Sequence, residues 1–483
     1  MPATRRIAAA LLVSSLASPA LAQPAGGYAL ARLLTGDGSV RPSPAGVLAT
    51  LDPMTSEPVV VAFGSAVAGD GSVRPQMWVG PISSREFAPT AIDLADNVDA
   101  EVVDAIFGTS IVGRSPRFGP GDDPFLLTRV KLGDGSVLPA VVPFESLCPI
   151  KQGKVLTLDP GFELSFDPSS FVYPPDPIQP DDAPAFVGNV AGGRASVQPA
   201  IATFDPGVGF YRMLTLPDPA NDGAGAYATA GVTMQDGQTI LLGGAMSPNG
   251  APPNPILWIG DGRAFNEPTA LPLPPGAVGA TPNADIAMPP GSNYFTCTAT
   301  ATYEDGSHGG FMWYFITDGT SFVGDTYPQV ADFDSSHVLA SVGGEVPIAV
   351  GYADDPAGEH RAAGWFGIRA GFAPKLLNDL LAAPGPVLTE ARGVATVPLS
   401  DTSVIAVLGD GSVKSDDGQA YLLIPIPVCQ ADIDHNGVLN LDDINLFADA
   451  FIKGELIADV DGNGVLNLDD VNVFAQVFIA GCP

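Results

Sequence analysis

Basic residues are scarce in this chain: 21 lysines and arginines stand against 53 aspartates and glutamates, a net charge of −32 over 483 residues. A surface of that sign repels phosphate backbones and acidic headgroups, which excludes nucleic acid and an anionic membrane surface as partners. Charged residues make up only 15% and hydrophobic ones 46%, so a disordered acidic coil is excluded too, and the chain can bury a large core. Beyond the N-terminal segment no apolar run approaches the roughly 18 residues that a membrane helix requires. Histidine is sparse. The four copies, His308, His337, His360 and His435, have no metal-ligand spacing and read as surface residues in turns or at element edges. Gly-x-Ser-x-Gly, His-Glu-x-x-His and phosphate-cradling glycine loops are all missing, so no catalytic residue can be named from a motif.

What stands at the start is an export signal. Arg5 and Arg6 precede an apolar run over 7–16, and small residues lead to Ala20-Leu21-Ala22 before Gln23. Residues 1–22 therefore read as a signal peptide, and the expected location is secreted, extracellular or cell-surface. Four cysteines are an even set for such a compartment. Cys148 and Cys297 are either one disulfide or two buried thiols.

Residues 23–427 carry a repeated phrase: a strand, a glycine-rich turn, then a strand that usually holds an aromatic. The stretch 61–80, with Trp78 near its end, matches 241–260, with Trp258 near its end, and the phrase returns before Trp313, Trp365 and Tyr421. Turns at 70, 134, 192, 249, 305, 357 and 410 are spaced by 64, 58, 57, 56, 52 and 53 residues. Asp-Gly and Asn-Gly between apolar strands suit tight hairpins. About 50 residues per unit is the length of a four-stranded propeller blade, so the expected fold is mainly β, a seven-bladed β-propeller, with a β-sandwich or β-solenoid as the alternative.

The segment 28–34 is apolar and strand-compatible, and it is expected to supply the outer strand that the last copy, ending near Ile426, has no room for. A short connector helix is expected over 99–107. The four tryptophans, at one fixed place in the repeat, read as packing between sheets rather than sugar platforms. Ser39, Ser72, Ser136 and Ser412 recur in Gly-Asp-Gly-Ser-Val turns and read as turn formers, since a catalytic residue has no reason to repeat.

The remaining segment, 428–483, holds two twelve-residue loops that begin at Asp432 and Asp459 and share Val-Leu-Asn-Leu-Asp-Asp. Oxygen side chains fall at loop positions 1, 3, 5, 9 and 12: Asp432, Asp434, Asn436, Asn440 and Asp443, then Asp459, Asp461, Asn463, Asn467 and Asp470. Gly437 and Gly464 permit the bend, and the carbonyls of Val438 and Val465 supply position 7. Each loop runs into an apolar helical stripe, Ile444, Phe447 and Phe451 or Val471, Phe474 and Phe478. The copies repeat every 27 residues, which leaves almost no room for an entering helix.

This layout resembles the type I dockerin module, in the bacterial variety that opens with Cys and ends in Gly-Cys-Pro, here Cys429 and Gly481-Cys482-Pro483. The resemblance implies a small α-helical, EF-hand-like domain with two Ca²⁺ ions and a cohesin-like or cell-surface protein as partner. It places partner selection at loop positions 10 and 11, here Leu441, Asp442, Leu468 and Asp469. A Cys429–Cys482 disulfide would close the module, worth about 4 kcal/mol by chain entropy. The body in turn loosely resembles extracellular propeller-forming repeats ending in His-Ala-Phe-Leu-Trp, through Pro-Gln-Met-Trp, Pro-Ile-Leu-Trp, Gly-Gly-Phe-Met-Trp and Ala-Ala-Gly-Trp.

These readings together lead to the expectation of a non-catalytic binding or structural propeller, able to take a glycan and anchored by the tail. The alternative is a polysaccharide-degrading enzyme, glycoside hydrolase or lyase, delivered by the same tail. The loops make the first prediction: residues 429–483 take up two Ca²⁺ ions and gain helix, because their carboxylates repel one another until a cation neutralises them. At a hundredfold excess over Kd each site adds about 2.7 kcal/mol of stability. Calorimetry and circular dichroism with and without chelator check this, and no uptake with an unchanged spectrum would refute it.

Overall fold

The structure is a computed structural model. It describes residues 27–35, 39–51, 55, 57–68, 73–91, 102–107, 125–132, 137–143, 154–155, 166–172, 185–191, 197–205, 210–217, 225–233, 238–247, 249–287, 294–316, 322–327, 330, 333–342, 348–366, 373–397, 403–409, 419–426, 431–433, 439–460 and 466–480. The signal segment, Cys148, Cys429, Cys482, His435 and the turns expected at 70, 134, 192 and 410 lie outside the described residues.

The chain is mainly β, and its described strands form seven small sheets, one per repeat, antiparallel but for one strand pair. The fourth sheet is typical, running Ala226–Thr233, Thr239–Ala245, Asn254–Gly260 and Thr269–Ala270 in sequence order. The hairpin turns between second and third strands come where turn chemistry puts them, with Gly250, Gly306 and Gly358 all at positive φ. No sheet closes on itself; each is an open ladder of four or five strands.

The sheets touch in chain order. The first strand of each of the third to sixth sheets packs against the first strand of the next, and Ser39–Leu51 of the first sheet packs on Leu388–Thr396 and Ser403–Gly409 of the last. One core cluster is shared by the first and last sheets: Val60, Ala62 and Trp78 meet Val404, Ala406 and Leu422.

The early strand Tyr28–Leu33 completes the last sheet. It pairs antiparallel with Gln419–Pro425, from Tyr28 opposite Pro425 to Arg32 opposite Tyr421. Its outer side takes a short parallel strand, Glu86–Phe87, so this sheet has five strands. The Tyr28 hydroxyl meets Ser403 Oγ at 3.0 Å, and burial pushes that phenol up to about 12.

Trp78, Trp258, Trp313 and Trp365 sit in the third strands of their sheets and are wholly buried. A buried indole N–H needs an acceptor, and each of three finds a carbonyl just past the outer strand of the preceding sheet. Trp78 donates to Leu34, Trp258 to Pro217 and Trp313 to Pro272, at 2.7 to 2.9 Å. Trp78 thereby ties the first sheet to the strand borrowed by the last.

One expectation needs correction. The helix expected over 99–107 is a strand over Val102–Phe107, the first of the second sheet. Its β-branched Val102, Val103 and Ile106 favour the pleated backbone. Of the two readings left open for Cys148 and Cys297, the described residue fits the second, because Cys297 is a free, buried thiol opposite Trp313.

The tail contains two helices, α1 (Leu441–Lys453) and α2 (Leu468–Ala480). Their apolar stripes meet, with Phe447 stacked on Phe474 at a centroid distance of 4.1 Å. Lys453 and Gly454 end α1, the glycine in the left-handed conformation that closes a helix.

Because Tyr28–Leu33 is the only partner of Gln419–Pro425 on that side, deleting residues 23–34 should bare a strand edge. The expected result is aggregation, or a fall in Tm on the order of 10 °C. A truncated protein that stays monomeric and melts like the full chain would show that the pairing contributes nothing.

Candidate active site

The first strands share an irregularity. A register shift interrupts them between Pro44 and Gly46, Ala228 and Ala230, Pro282 and Ile286, Val338 and Ala340, and Ala391 and Gly393. Such bulges bend the strand and re-aim the side chains beside them. The residues just before the shifts are Ser43, Tyr227, Thr281, His337 and Glu390, all polar, at one level of five sheets.

In three sheets the bulge presses the carbonyl of this residue onto the second strand. A Cβ there would lie 2.1 Å from the Ser43 oxygen at Gly64, and 1.9 Å from those of Tyr227 and His337 at Gly243 and Gly351. Only glycine fits. Each of these glycines stands six residues ahead of a hairpin turn position, a regular signal that could have located the bulges from sequence.

The densest group is built on Ser335–Val342 and its neighbours. His337 lies directly opposite Tyr352 in the ladder, with the rings stacked at 4.5 Å and 12°. Asp354, two residues further along that second strand, meets both His337 Nε2, at 3.1 Å, and His360 Nδ1 from the third strand. A carboxylate can only accept, so both imidazoles donate to it, and His337 keeps its lone pair at Nδ1. His308 arrives from the fifth sheet with its ring 4.6 Å from that of His337.

On the other side, in the last sheet, Glu390 pairs with Arg392 at 2.9 Å, and Arg392 also donates to Ser43 Oγ of the first sheet at 2.9 Å. The Arg392–Ser43 bond thus links the last sheet to the first across the seam, and Glu390 bears on the sixth sheet through its charge at Tyr352.

The electrostatics follow from burial. His337 is held below the ordinary imidazole range, first by desolvation and then by the charge of His308, with Asp354 opposing. The Tyr352 phenol is pushed up to about 12 by burial, then by the negative charges of Asp354 and Glu390. Tyr227 reaches about 12 by burial, offset by a hydrogen bond with Thr281. His337 is therefore held neutral, with a lone pair open to a proton, and the phenols stay protonated.

The reading of the histidines as scattered surface residues is thus corrected for three of the four. His308, His337 and His360 stand 29 and 23 residues apart in sequence, which matches no local motif; strand pairing brings His337 and His360 together, and packing of one sheet on the next brings His308 to them. The tryptophans stay in the core.

In the tail, the described loop residues are Asp432, Asn440, Asp443, Asp459, Asn467 and Asp470; the centres of both loops, with Asp434, Asn436, Val438, Asp461, Asn463 and Val465, lie outside the described residues. Asn440 caps α1 by accepting from Asp442 N–H at 2.6 Å, and Asp443 accepts from Ile433 and Asn440 N–H at 2.8 and 2.9 Å. Asn467 and Asp470 repeat this at α2. Asp443 and Asp470 are completely buried carboxylates in a loop rich in oxygen donors, a set that fits a hard cation. Leu441 and Leu468 are 73% and 75% exposed beside exposed Asp442 and Asp469.

No protein-family profile and no curated protein matches the chain. Solved structures do align with it. An α-L-arabinanase of Penicillium chrysogenum complexed with arabinobiose aligns at 9% identity, covering 66% of this chain and 97% of its own, with a TM-score of 0.39. A Trypanosoma rangeli sialidase aligns at 9% identity over 83% of this chain and 58% of its own, with a TM-score of 0.42. A GH74 xyloglucanase from Xanthomonas campestris aligns at 14% identity over 80% and 54%, with a TM-score of 0.42. The chain thus spans little more than half the length of the sialidase and the xyloglucanase. Likenesses of this strength assign no activity. The expectation of a non-catalytic propeller is corrected on the geometry, since His308, His337, His360 and Asp354 share one polar cluster.

The depressed His337 makes stability depend on pH. An unfolded imidazole takes a proton near pH 6.5, whereas the folded one resists it to lower pH. Between those values the unfolded chain binds more protons, so this contribution is intact above about pH 6.5 and is lost as pH falls. Replacing His337 by Asn should flatten the decline in Tm between about pH 7.5 and 5.5. Parallel melting curves for the two proteins would refute this.

Proposed function

We propose that this chain is an exported polysaccharide-degrading enzyme with a seven-bladed propeller body and a dockerin-like calcium tail. The observation that carries it is the cluster in which Asp354 orients two imidazoles while His337, neutral and stacked on Tyr352, retains a proton-accepting Nδ1. An imidazole positioned by a carboxylate is a general acid–base unit, typically worth 10²–10⁴ in rate. Glu390 and Arg392 complete the polar surface, the carboxylate neutralised by its guanidinium. The propeller is supported by seven sheets of four or five strands packed in chain order and by the core that the first and last sheets share.

The tail supplies delivery. Its two loops would hold Ca²⁺ through the residues named above, with no step of the reaction passing through the ions. Exposed Leu441 and Leu468 with Asp442 and Asp469 would meet a cohesin-like or cell-surface protein.

The test is release of reducing ends from a panel of neutral and uronic-acid polysaccharides, with ultraviolet absorbance separating elimination, which leaves a conjugated double bond, from hydrolysis, which does not. His337→Ala and Asp354→Asn are expected to lower kcat by roughly 100-fold or more. Cleavage that survives His337→Ala undiminished would remove this cluster from the reaction, and no cleavage of any polysaccharide would overturn the reading.

A further inference from the structure

His337 is in contact with two rings of different origin. Tyr352 faces it from the same sheet, while His308 comes from the start of the third strand of the preceding sheet, at a centroid distance of 4.6 Å and a tilt of 45°. The position of His308 is built. Its backbone N–H donates to Ser335 Oγ at 3.1 Å, in the strand that carries His337, and its Nδ1 meets Thr302 Oγ1 at 3.2 Å. Ser335 is itself 7% exposed and lies opposite Asp354 in the ladder. One residue thus reaches both the strand that bears the base and the ring of the base.

We infer that His308 is a positioning residue for His337: from the neighbouring sheet it holds the imidazole against Tyr352 and keeps it in the neutral, proton-accepting form. The inference rests on the reading of this cluster as catalytic. Three described ionisable groups bear on His337, and they act in different directions. The carboxylate of Asp354 favours the imidazolium, while His308 and His360 disfavour it. Tyr352 faces it as a protonated phenol, and Glu390 acts on Tyr352 from the last sheet. His360 is bound to the same carboxylate as His337, so the opposing charge that belongs to a separate sheet is that of His308. A relation between two sheets thereby sets the protonation of a residue in one of them.

The experiment compares the full chain with His308→Phe, which keeps a ring against His337 and removes the charge, and with His308→Gln, which removes both. The imidazole of His337 is titrated by NMR in each protein, and the pH profile of polysaccharide cleavage is recorded alongside. With the charge gone, the titration of His337 and the acidic limb of kcat should both move upward by roughly half a unit to one unit. The Gln variant should in addition raise KM or lower kcat at the pH optimum, because the ring has lost its support. An unchanged His337 titration in both variants would overturn the inference. A shifted titration in a protein that cleaves nothing at any pH would uphold the coupling and overturn the catalytic reading alone.

Discussion

The ladder between Tyr28–Leu33 and Gln419–Pro425 joins residues almost four hundred positions apart, and the rest of the body is arranged around it. Backbone hydrogen bonds are saturating: a strand edge is either paired or bare, and a bare apolar edge recruits another chain. By lending its first strand to its last sheet the chain pairs that edge internally. The Tyr28 hydroxyl then meets Ser403, and Trp78 donates to the carbonyl of Leu34, so the borrowed strand is bound to both the first and the last sheet. The contact of Arg392 with Ser43 crosses the same seam, which makes one end of the polar surface depend on it.

Repetition explains how such a surface arises. Four units keep a buried third-strand tryptophan for packing, and the bulge in the first strand recurs from sheet to sheet. Where Gly64, Gly243 and Gly351 receive the displaced carbonyl, the backbone is fixed by contacts under 2.2 Å to a hypothetical side chain, so no other residue serves there. The side chain just before the bulge carries no such constraint and differs from copy to copy: Ser43, Tyr227, Thr281, His337, Glu390. A recurring geometry with a variable side chain beside the bulge is a means of gathering unlike chemical groups without altering the fold.

The tail follows a different logic, in which polar groups serve the helices directly. Asn440 and Asp443 satisfy the first orphan N–H groups of α1, and Asn467 and Asp470 those of α2. Asp443 and Asp470 are also buried, so the groups that start each helix lie inside the module rather than on its surface.

Much of the architecture was legible because it rests on local chemistry. Glycine turns mark the hairpins, the tryptophans recur at one place in the unit, and an apolar run over 28–34 announces a strand with nowhere local to pair. The helix expected over 99–107 failed where β-branched residues and sheet partners outweighed the pattern. The candidate site was not legible. His308, His337 and His360 have no motif spacing, and they meet because Asp354 and Tyr352 stand opposite them in a ladder and because one sheet packs on the next. Sequence determined where the strands are and which faces are apolar, since turn chemistry and periodicity act within a few residues. Tertiary structure alone decided which polar side chains share a surface, since that depends on the register of pairing and the stacking of sheets, and neither leaves a periodic trace in the chain.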